Sequence, residues 1–208
     1  MNRKEKLDKI LARIDTIPSH YFERSLYVNQ NELMMLCNNI IENNVKNIIE
    51  IGTYKGVAAA IFSSIIDGNV YTINVNDDEI FLSKTLWESL EIKNIIQIKG
   101  NSLEVLPTLV LQQEDINFIF IDGNHEIPYP ATEFEIILNS KIKDNKCLVY
   151  FDDGPVAGVM QAIQKYNLTT LNKGYEWIQK DEIKKNTTGT LRAYYIFGDF
   201  NINLGNKI

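Results

Sequence analysis

Short apolar runs alternate with longer amphipathic ones along this chain, and that alternation limits the possible folds more than any other feature. The apolar runs are rich in Ile, Val, Phe and Tyr and lack the strict polar alternation of a half-exposed sheet. They predict strands at 45–52, 69–75, 94–100, 116–122 and 146–152. The segments between them predict helices near 54–66, 77–91, 102–112, 130–141 and 156–167. This order predicts βαβ units, and therefore a doubly wound α/β fold with a mostly parallel sheet.

Both ends of the chain depart from this alternation. Two strand-like runs at 175–179 and 192–200 are joined by a polar stretch, which predicts an antiparallel C-terminal hairpin and a sheet of seven strands. Near the start, apolar residues at helical spacing predict an N-terminal amphipathic helix that ends before Pro18. This helix either packs on the body of the protein or covers a ligand cleft.

The length and composition indicate one soluble domain. We predict a single domain over 1–208, with a helical N-terminal extension over 1–30 and a core over 45–200. The net charge of −6 argues against a nucleic-acid partner, because phosphate contacts need clustered Lys and Arg. No apolar run approaches the ~18 residues of a membrane span, and no signal-peptide core is present. Cys37 and Cys147 lie in apolar segments without metal-ligand spacing, which indicates buried thiols in a reducing compartment. We expect a cytoplasmic protein, for which a homodimer would be unsurprising.

A glycine turn, EIGTYKG (50–56), follows the first predicted strand. Gly52 and Gly56 allow a tight turn and the close approach of a ligand to the backbone. The amides that open the next helix can donate hydrogen bonds to that ligand. The spacing differs from the GxGxxG fingerprint of dinucleotide-binding folds, which argues against a nicotinamide dehydrogenase. By itself, the pattern fits a tight turn without a ligand equally well.

Two other predicted strands end in carboxylates. FIFIDGNH ends in Asp122 with His125 close behind, and CLVYFDDGP ends in Asp152 and Asp153. If these strands are neighbours in a parallel sheet, their ends lie about 5 Å apart. Three crowded carboxylates need a cation or bound protons, and an all-oxygen site suits Mg²⁺. The alternatives are an Asp-Gly turn for Asp122 and a helix cap for the acidic pair.

These segments resemble the class I S-adenosylmethionine-dependent methyltransferases. EIGTYKG and the Ala-rich helix after it are similar to motif I of that family. GNSLEVLPTL, INFIFIDGNH, CLVYFDDGP and GVMQAIQKY are similar to successive blocks of the catechol, caffeoyl-CoA and macrocin-type O-methyltransferases, and the resemblance covers roughly residues 30–200. It implies a Rossmann-like fold, S-adenosylmethionine and Mg²⁺ as cofactors, and methyl transfer to a hydroxyl of a small molecule such as a sugar, phenol or natural product.

The resemblance also implies roles for individual residues. The implied cofactor-binding residues are Glu50, Gly52, Thr53, Tyr54, Gly56, Asn74, Asn101, Ser102 and Asp122. The implied metal ligands are Asp122, Asp152 and Asp153. His125 matches the general base of macrocin-type enzymes, although an imidazole in this loop could simply bond to nearby backbone. Candidates to approach or line the acceptor side are His20, Tyr21, Phe22, Tyr129 and Trp177.

Two positions depart from the family pattern. Asn74 and Asn101 stand where acidic residues are common, and an amide makes weaker bonds to hydroxyls than an ionised carboxylate does. Asp77 or Asp78 is a candidate to replace the missing carboxylate. The same departures favour a non-catalytic binding protein as one alternative function. A tRNA-modifying methyltransferase is the other, and the acidic net charge argues against it.

Overall fold

A seven-stranded sheet forms the centre of the computed structural model, which describes residues 3–18, 21, 30–154, 156–172 and 191–203. The strands are β1 (Asn47–Ile51), β2 (Val70–Asn74), β3 (Ile95–Lys99), β4 (Ile116–Ile121), β5 (Cys147–Phe151), β6 (Thr169–Asn172) and β7 (Leu191–Phe197). The helices in the described residues are α1 (Arg3–Thr16), α2 (Gln30–Glu42), α3 (Val57–Ser63), α4 (Asp77–Ser89), α5 (Ser102–Gln112), α6 (Tyr129–Leu138) and α7 (Ala157–Tyr166), with a 3₁₀ turn at Lys141–Asp144.

The strand order confirms the predicted doubly wound sheet. It runs β3-β2-β1-β4-β5-β7-β6, with β1 to β5 parallel and β7 antiparallel to both β5 and β6. The order reverses between β1 and β4, so their carboxyl ends open a crevice at the edge of the sheet. Each of the five parallel strands in the structure lies within one of the runs that the sequence predicted as strands.

The antiparallel C-terminal pair is also present, but its first strand is not the predicted one. The partner of β7 is β6 at Thr169–Asn172, a four-residue strand directly after α7. Its sequence, TTLN, contains only one large apolar residue. It therefore has no apolar run from which a strand could be predicted. The segment predicted as that strand, 175–179, lies outside the described residues.

Two apolar layers hold the helices on the sheet. On one face, Phe118 and Phe120 of β4 and Tyr150 of β5 pack with Phe62 of α3 and with the apolar side of α2. On the other face, the alternate residues of the same strands pack with Phe134 of α6 and with α5 and α7. Because both faces are covered, the central strands are mostly apolar, as the sequence predicted.

The N-terminal helix packs on the body, which was the first of the two predicted arrangements. Arg13 Nη1 donates to the carbonyl oxygen of Leu90 at 3.1 Å, just beyond α4. Ile17 and Tyr21 are buried, and the Tyr21 hydroxyl donates to the carbonyl of Leu82 at 3.3 Å. Tyr21 therefore packs against α4. His20, Phe22 and Trp177 lie outside the described residues.

Within the part of the chain that the structure describes, no helix combines the length and apolar character that a membrane crossing requires.

Candidate functional site

Backbone contacts explain both glycines of the turn after β1. Gly52 has φ +100°, and a Cβ there would lie 2.0 Å from the carbonyl oxygen of Asp122 at the end of β4. Gly56 has φ +78°, and a Cβ there would lie 2.7 Å from the indole nitrogen of Trp87. That nitrogen donates to the carbonyl of Gly56 at 2.8 Å. Packing within the protein thus requires glycine at both positions, whether or not a ligand binds.

Glu50 and Thr53 lie behind this turn. Glu50 is buried in β1 and accepts a hydrogen bond from the Thr72 hydroxyl of β2. Burial raises the pKa of Glu50 to about 8, although bonds from Thr72 and from the Ala59 amide oppose the rise. The hydroxyls of Thr53 and Thr72 are also hydrogen-bonded to each other. These groups form a buried polar network at the base of the turn.

A cleft of about 370 Å³ lies along the carboxyl ends of β1, β2 and β3. Six of the nine predicted cofactor residues line it: Gly52, Tyr54, Asn74, Asn101, Ser102 and Asp122. Glu50, Thr53 and Gly56 are not in its lining. The cleft lies at the crevice where α/β folds of this kind bind ligands.

A carboxylate that the sequence analysis missed reaches this cleft after β2. Glu79 lines the cleft, and its Oε2 accepts from Asn74 Nδ2 at 2.9 Å. Asp77, one of the predicted replacements, instead pairs with Lys99 at 2.6 Å in an exposed position, and Asp78 is not in the lining. Asn76 caps α4, but its amide donates to Asn74 Oδ1 and Glu79 bonds to the Asn74 side chain, so a capping-box pattern would have predicted a different partner for Glu79.

At the start of α5, two adjacent residues bond to α6. Asn101 caps α5 by accepting from the Leu103 amide at 2.9 Å, and its Nδ2 donates to the Tyr129 hydroxyl at 3.0 Å. Ser102 donates to Glu133 Oε1 at 2.5 Å. Burial raises the pKa of Glu133 to about 7, and the bond from Ser102 opposes that rise. Tyr129, which was predicted as a wall on the acceptor side, lines this cleft.

The ends of β4 and β5 bring Asp122, His125 and Asp153 together. His125 Nε2 lies 3.6 Å from Asp122 Oδ1, and His125 Nδ1 lies 3.4 Å from Asp153 Oδ2. One ligand atom from each of the three residues lies within 4.8 Å of the others. Within the described residues, His125 Nε2 and Asp153 Oδ1 are buried and have no hydrogen-bond partner. We call Asp122, His125 and Asp153 the acid–histidine cluster.

Burial dominates the electrostatics of this cluster. It raises the pKa of Asp122 well above its usual range, and the charges of Asp152, Asp153 and Glu50 raise it further. Burial lowers the pKa of His125, while the Asp153 carboxylate opposes that shift. The histidine is therefore held toward its neutral form, which is the form that can accept a proton.

Asp152 is not one of the three cluster residues and pairs instead with a cation inside the protein. Its Oδ1 lies 2.5 Å from Nε of Arg192 on β7, and both side chains are buried. The same oxygen accepts from the Asp153 amide at 2.8 Å. Asp153 has φ +52°, in the left-handed region. Of the three predicted metal ligands, the structure groups Asp122 and Asp153 with His125, and it pairs Asp152 with Arg192. Sequence analysis missed Arg192 because it lies 40 residues away on an antiparallel strand.

Comparisons with known proteins identify a family and similar folds for this chain. The profile of a family described as O-methyltransferase matches residues 4–175. Among solved structures, an O-methyltransferase from Bacillus cereus in complex with SAH is 16% identical, with a TM-score of 0.67 over 95% of this chain and 93% of that one. A candidate caffeoyl-CoA O-methyltransferase from Staphylococcus aureus is 24% identical, with a TM-score of 0.62 over 95% and 93%. TomG from Streptomyces achromogenes, an O-methyltransferase involved in tomaymycin synthesis and solved with SAM, is 18% identical, with a TM-score of 0.67 over 95% and 100%. Among curated proteins, none matches this sequence.

Proposed function

The chain belongs to the O-methyltransferase family, and from that premise we propose that it transfers the methyl group of S-adenosylmethionine to a hydroxyl of a small molecule such as a sugar, phenol or natural product. One observation carries the proposal. Asp122 lies both in the lining of the 370 Å³ cleft and in the acid–histidine cluster, so a cofactor in the cleft and an acceptor at the cluster would be neighbours. Two structural neighbours, solved with SAH and with SAM, support the choice of cofactor.

The cofactor would lie along the cleft. The backbone at Gly52 and Tyr54 and the side chains of Asn74, Asn101, Ser102 and Asp122 would contact it, and Glu79 adds a carboxylate suited to the ribose hydroxyls. Glu50, Thr53 and Gly56 would act indirectly by fixing the shape of the turn. These assignments extend the roles implied by the sequence with one residue that it did not indicate, Glu79.

The acid–histidine cluster fits a divalent cation in part. Asp122 and Asp153 offer the oxygen donors that Mg²⁺ prefers, and they are half-buried, with one buried Asp153 oxygen that has no hydrogen-bond partner among the described residues, which suits a positive charge. Asp152 could join them only by sharing its carboxylate with Arg192. When bound, a divalent ion would supply a Lewis acid that lowers the pKa of an acceptor hydroxyl.

The proton would leave through His125. The neutral imidazole of the cluster would accept the hydroxyl proton, and the acceptor oxygen would form a bond to the methyl carbon as the carbon–sulfur bond breaks. The products are a methyl ether, S-adenosylhomocysteine and a proton on His125. Much of the rate would come from holding the oxygen and the methyl carbon close and in line.

Calorimetric titration of S-adenosylmethionine into the purified protein, followed by an acceptor screen with and without a chelator, tests this function. We expect micromolar binding, about −8 kcal/mol, and methylation of sugars or catechols that falls when the chelator is added. Equal turnover with chelator would remove the divalent ion from the mechanism. No detectable cofactor binding would contradict the enzyme and would leave the non-catalytic binding protein as the better interpretation.

A further inference from the structure

Two hydrogen bonds tie the cleft edge at the start of α5 to one face of α6. Asn101 Nδ2 donates to Tyr129, and Ser102 Oγ donates to Glu133. Tyr129 and Glu133 are four residues apart on α6, so their side chains lie on the same side of that helix. The consecutive residues 101 and 102 are therefore held against α6 by two separate bonds.

Glu133 is an unusual partner for a serine in this position. It is fully buried, its Oε1 accepts from Ser102 at 2.5 Å, and its Oε2 has no hydrogen-bond partner among the described residues. Above the pKa of about 7 to which burial raises Glu133, its carboxylate is ionised and can only accept hydrogen bonds. The Ser102 hydroxyl therefore commits its single hydrogen to Glu133, and only its lone pairs remain for another group.

This arrangement gives the cleft a defined polarity at Ser102. We propose that Glu133 is a positioning residue that makes Ser102 an acceptor only, so that the cleft selects a purine with an amino group over the same purine with a carbonyl group. The inference rests on the proposed function, in which the cleft holds an adenosyl cofactor. An exocyclic amino group of adenine can donate to Ser102 Oγ, whereas the carbonyl oxygen of hypoxanthine would meet an oxygen that cannot donate.

The size of the selection follows from hydrogen-bond energetics. A site built to receive a donor rejects an analogue that offers an acceptor, because a polar group is left unpaired in both partners. We expect the hypoxanthine analogue to bind about 10- to 100-fold more weakly than the adenine compound. A merely structural role for Glu133 would change the affinity of both compounds alike.

The test compares the dissociation constants of S-adenosylhomocysteine and S-inosylhomocysteine, its 6-oxo analogue, at pH 8.5. That pH lies above the value of about 7 to which burial raises the pKa of Glu133, so the wild-type carboxylate is ionised. Glu133→Gln keeps the shape but can donate from its amide, which frees the Ser102 hydrogen for the ligand. We expect the affinity ratio of the two compounds to fall at least about fivefold in this variant.

Two further variants make the test decisive. Ser102→Ala removes the acceptor and should lower the ratio as well, independently of how Glu133→Gln folds. Glu135→Gln is the matched control, because Glu135 is on the same helix but is exposed and bonds to Lys165 and Tyr166; its ratio should equal that of wild type. A wild-type protein that binds both compounds equally, or a ratio unchanged in either variant at 102 or 133, overturns this inference alone. A wild-type protein that binds neither compound overturns the proposed function and this inference with it.

Discussion

Asn74 ends β2 where a carboxylate would be expected, and Glu79 brings one to the same end of the cleft. The Asn74 amide donates to the Glu79 carboxylate and so holds it in place. A carboxylate makes charge-assisted hydrogen bonds to hydroxyls that an amide does not. The asparagine therefore does not remove the acidic group from the cleft but positions one from the next helix.

Replacing Glu79 with Gln should weaken S-adenosylmethionine binding about 5- to 30-fold, since one charge-assisted bond is worth roughly 1–2 kcal/mol. Calorimetric titration of both proteins measures the change. Asp78→Asn is the matched control, because Asp78 is the adjacent acidic residue of the same first helical turn but is not in the cleft lining. Equal weakening by both substitutions would assign the effect to net charge and contradict a direct role for Glu79.

His125→Ala should separate catalysis from cofactor binding. His125 is in the acid–histidine cluster but not in the lining of the cleft. We expect turnover to fall about 10²- to 10⁴-fold, the usual contribution of a general base, while the cofactor dissociation constant changes little. Turnover of the variant should rise with pH more steeply than that of wild type, because hydroxide then replaces the imidazole. Unchanged turnover would rule out the base role.

At the scale of elements, the last strand completes the site. β7 pairs antiparallel with β5, with Ala193 opposite Phe151, and this register sets Arg192 beside Asp152. The charge of Arg192 opposes the crowding of carboxylates and lowers the pKa of Asp122, against the larger effect of burial. The carboxylates at the ends of β4 and β5 therefore already have one positive charge near them, that of Arg192, before any metal binds.

Arg192→Met should destabilise the protein by about 3–5 kcal/mol, because it leaves the buried Asp152 carboxylate without its cation. Urea unfolding measures the loss. The double variant Arg192→Met with Asp152→Asn should recover most of it, since no buried charge is then left unpaired. If the double variant is as unstable as the single one, the loss came from packing and not from the broken ion pair.

The elements themselves were largely predictable, and the site was predictable only in part. Four of the parallel strands read as apolar runs because both faces of the sheet are covered, and the partly exposed edge strand β3 reads as one because it contains three isoleucines. Pairings set by distant chain segments left no local pattern, so sequence analysis found Asp152 but not Arg192. β6 was not predicted for a related reason. Its four residues form a strand because β7 pairs with them, and their own composition does not favour a strand.

At the scale of the whole molecule, several acidic groups lie inside the fold at a cost in stability. Glu50 and Glu133 are both buried, and burial raises their pKa values to about 8 and about 7. Glu50 lies under the glycine turn, and Glu133 lies behind Ser102 of the cleft. Both carboxylates therefore support a part of the proposed cofactor site. Replacing one of them should show how much its burial lowers the free energy of unfolding.

Stability should decline as pH rises from about 5 to about 8.5, and Glu133 should account for part of the decline. In the unfolded chain a Glu loses its proton near pH 4.3, whereas folded Glu133 keeps it up to about pH 7. Between these values the folded state binds the extra proton, so this contribution is complete at low pH and is lost as pH rises through 7. Glu133→Gln should therefore be more stable than wild type at pH 8.5, by at most about 3 kcal/mol, and should differ less at pH 5.

Urea midpoints at both pH values measure this difference in stability, with the exposed Glu135→Gln variant as control. A variant that is equally destabilised at both pH values would show that Glu133 is held by packing, with no proton linked to folding.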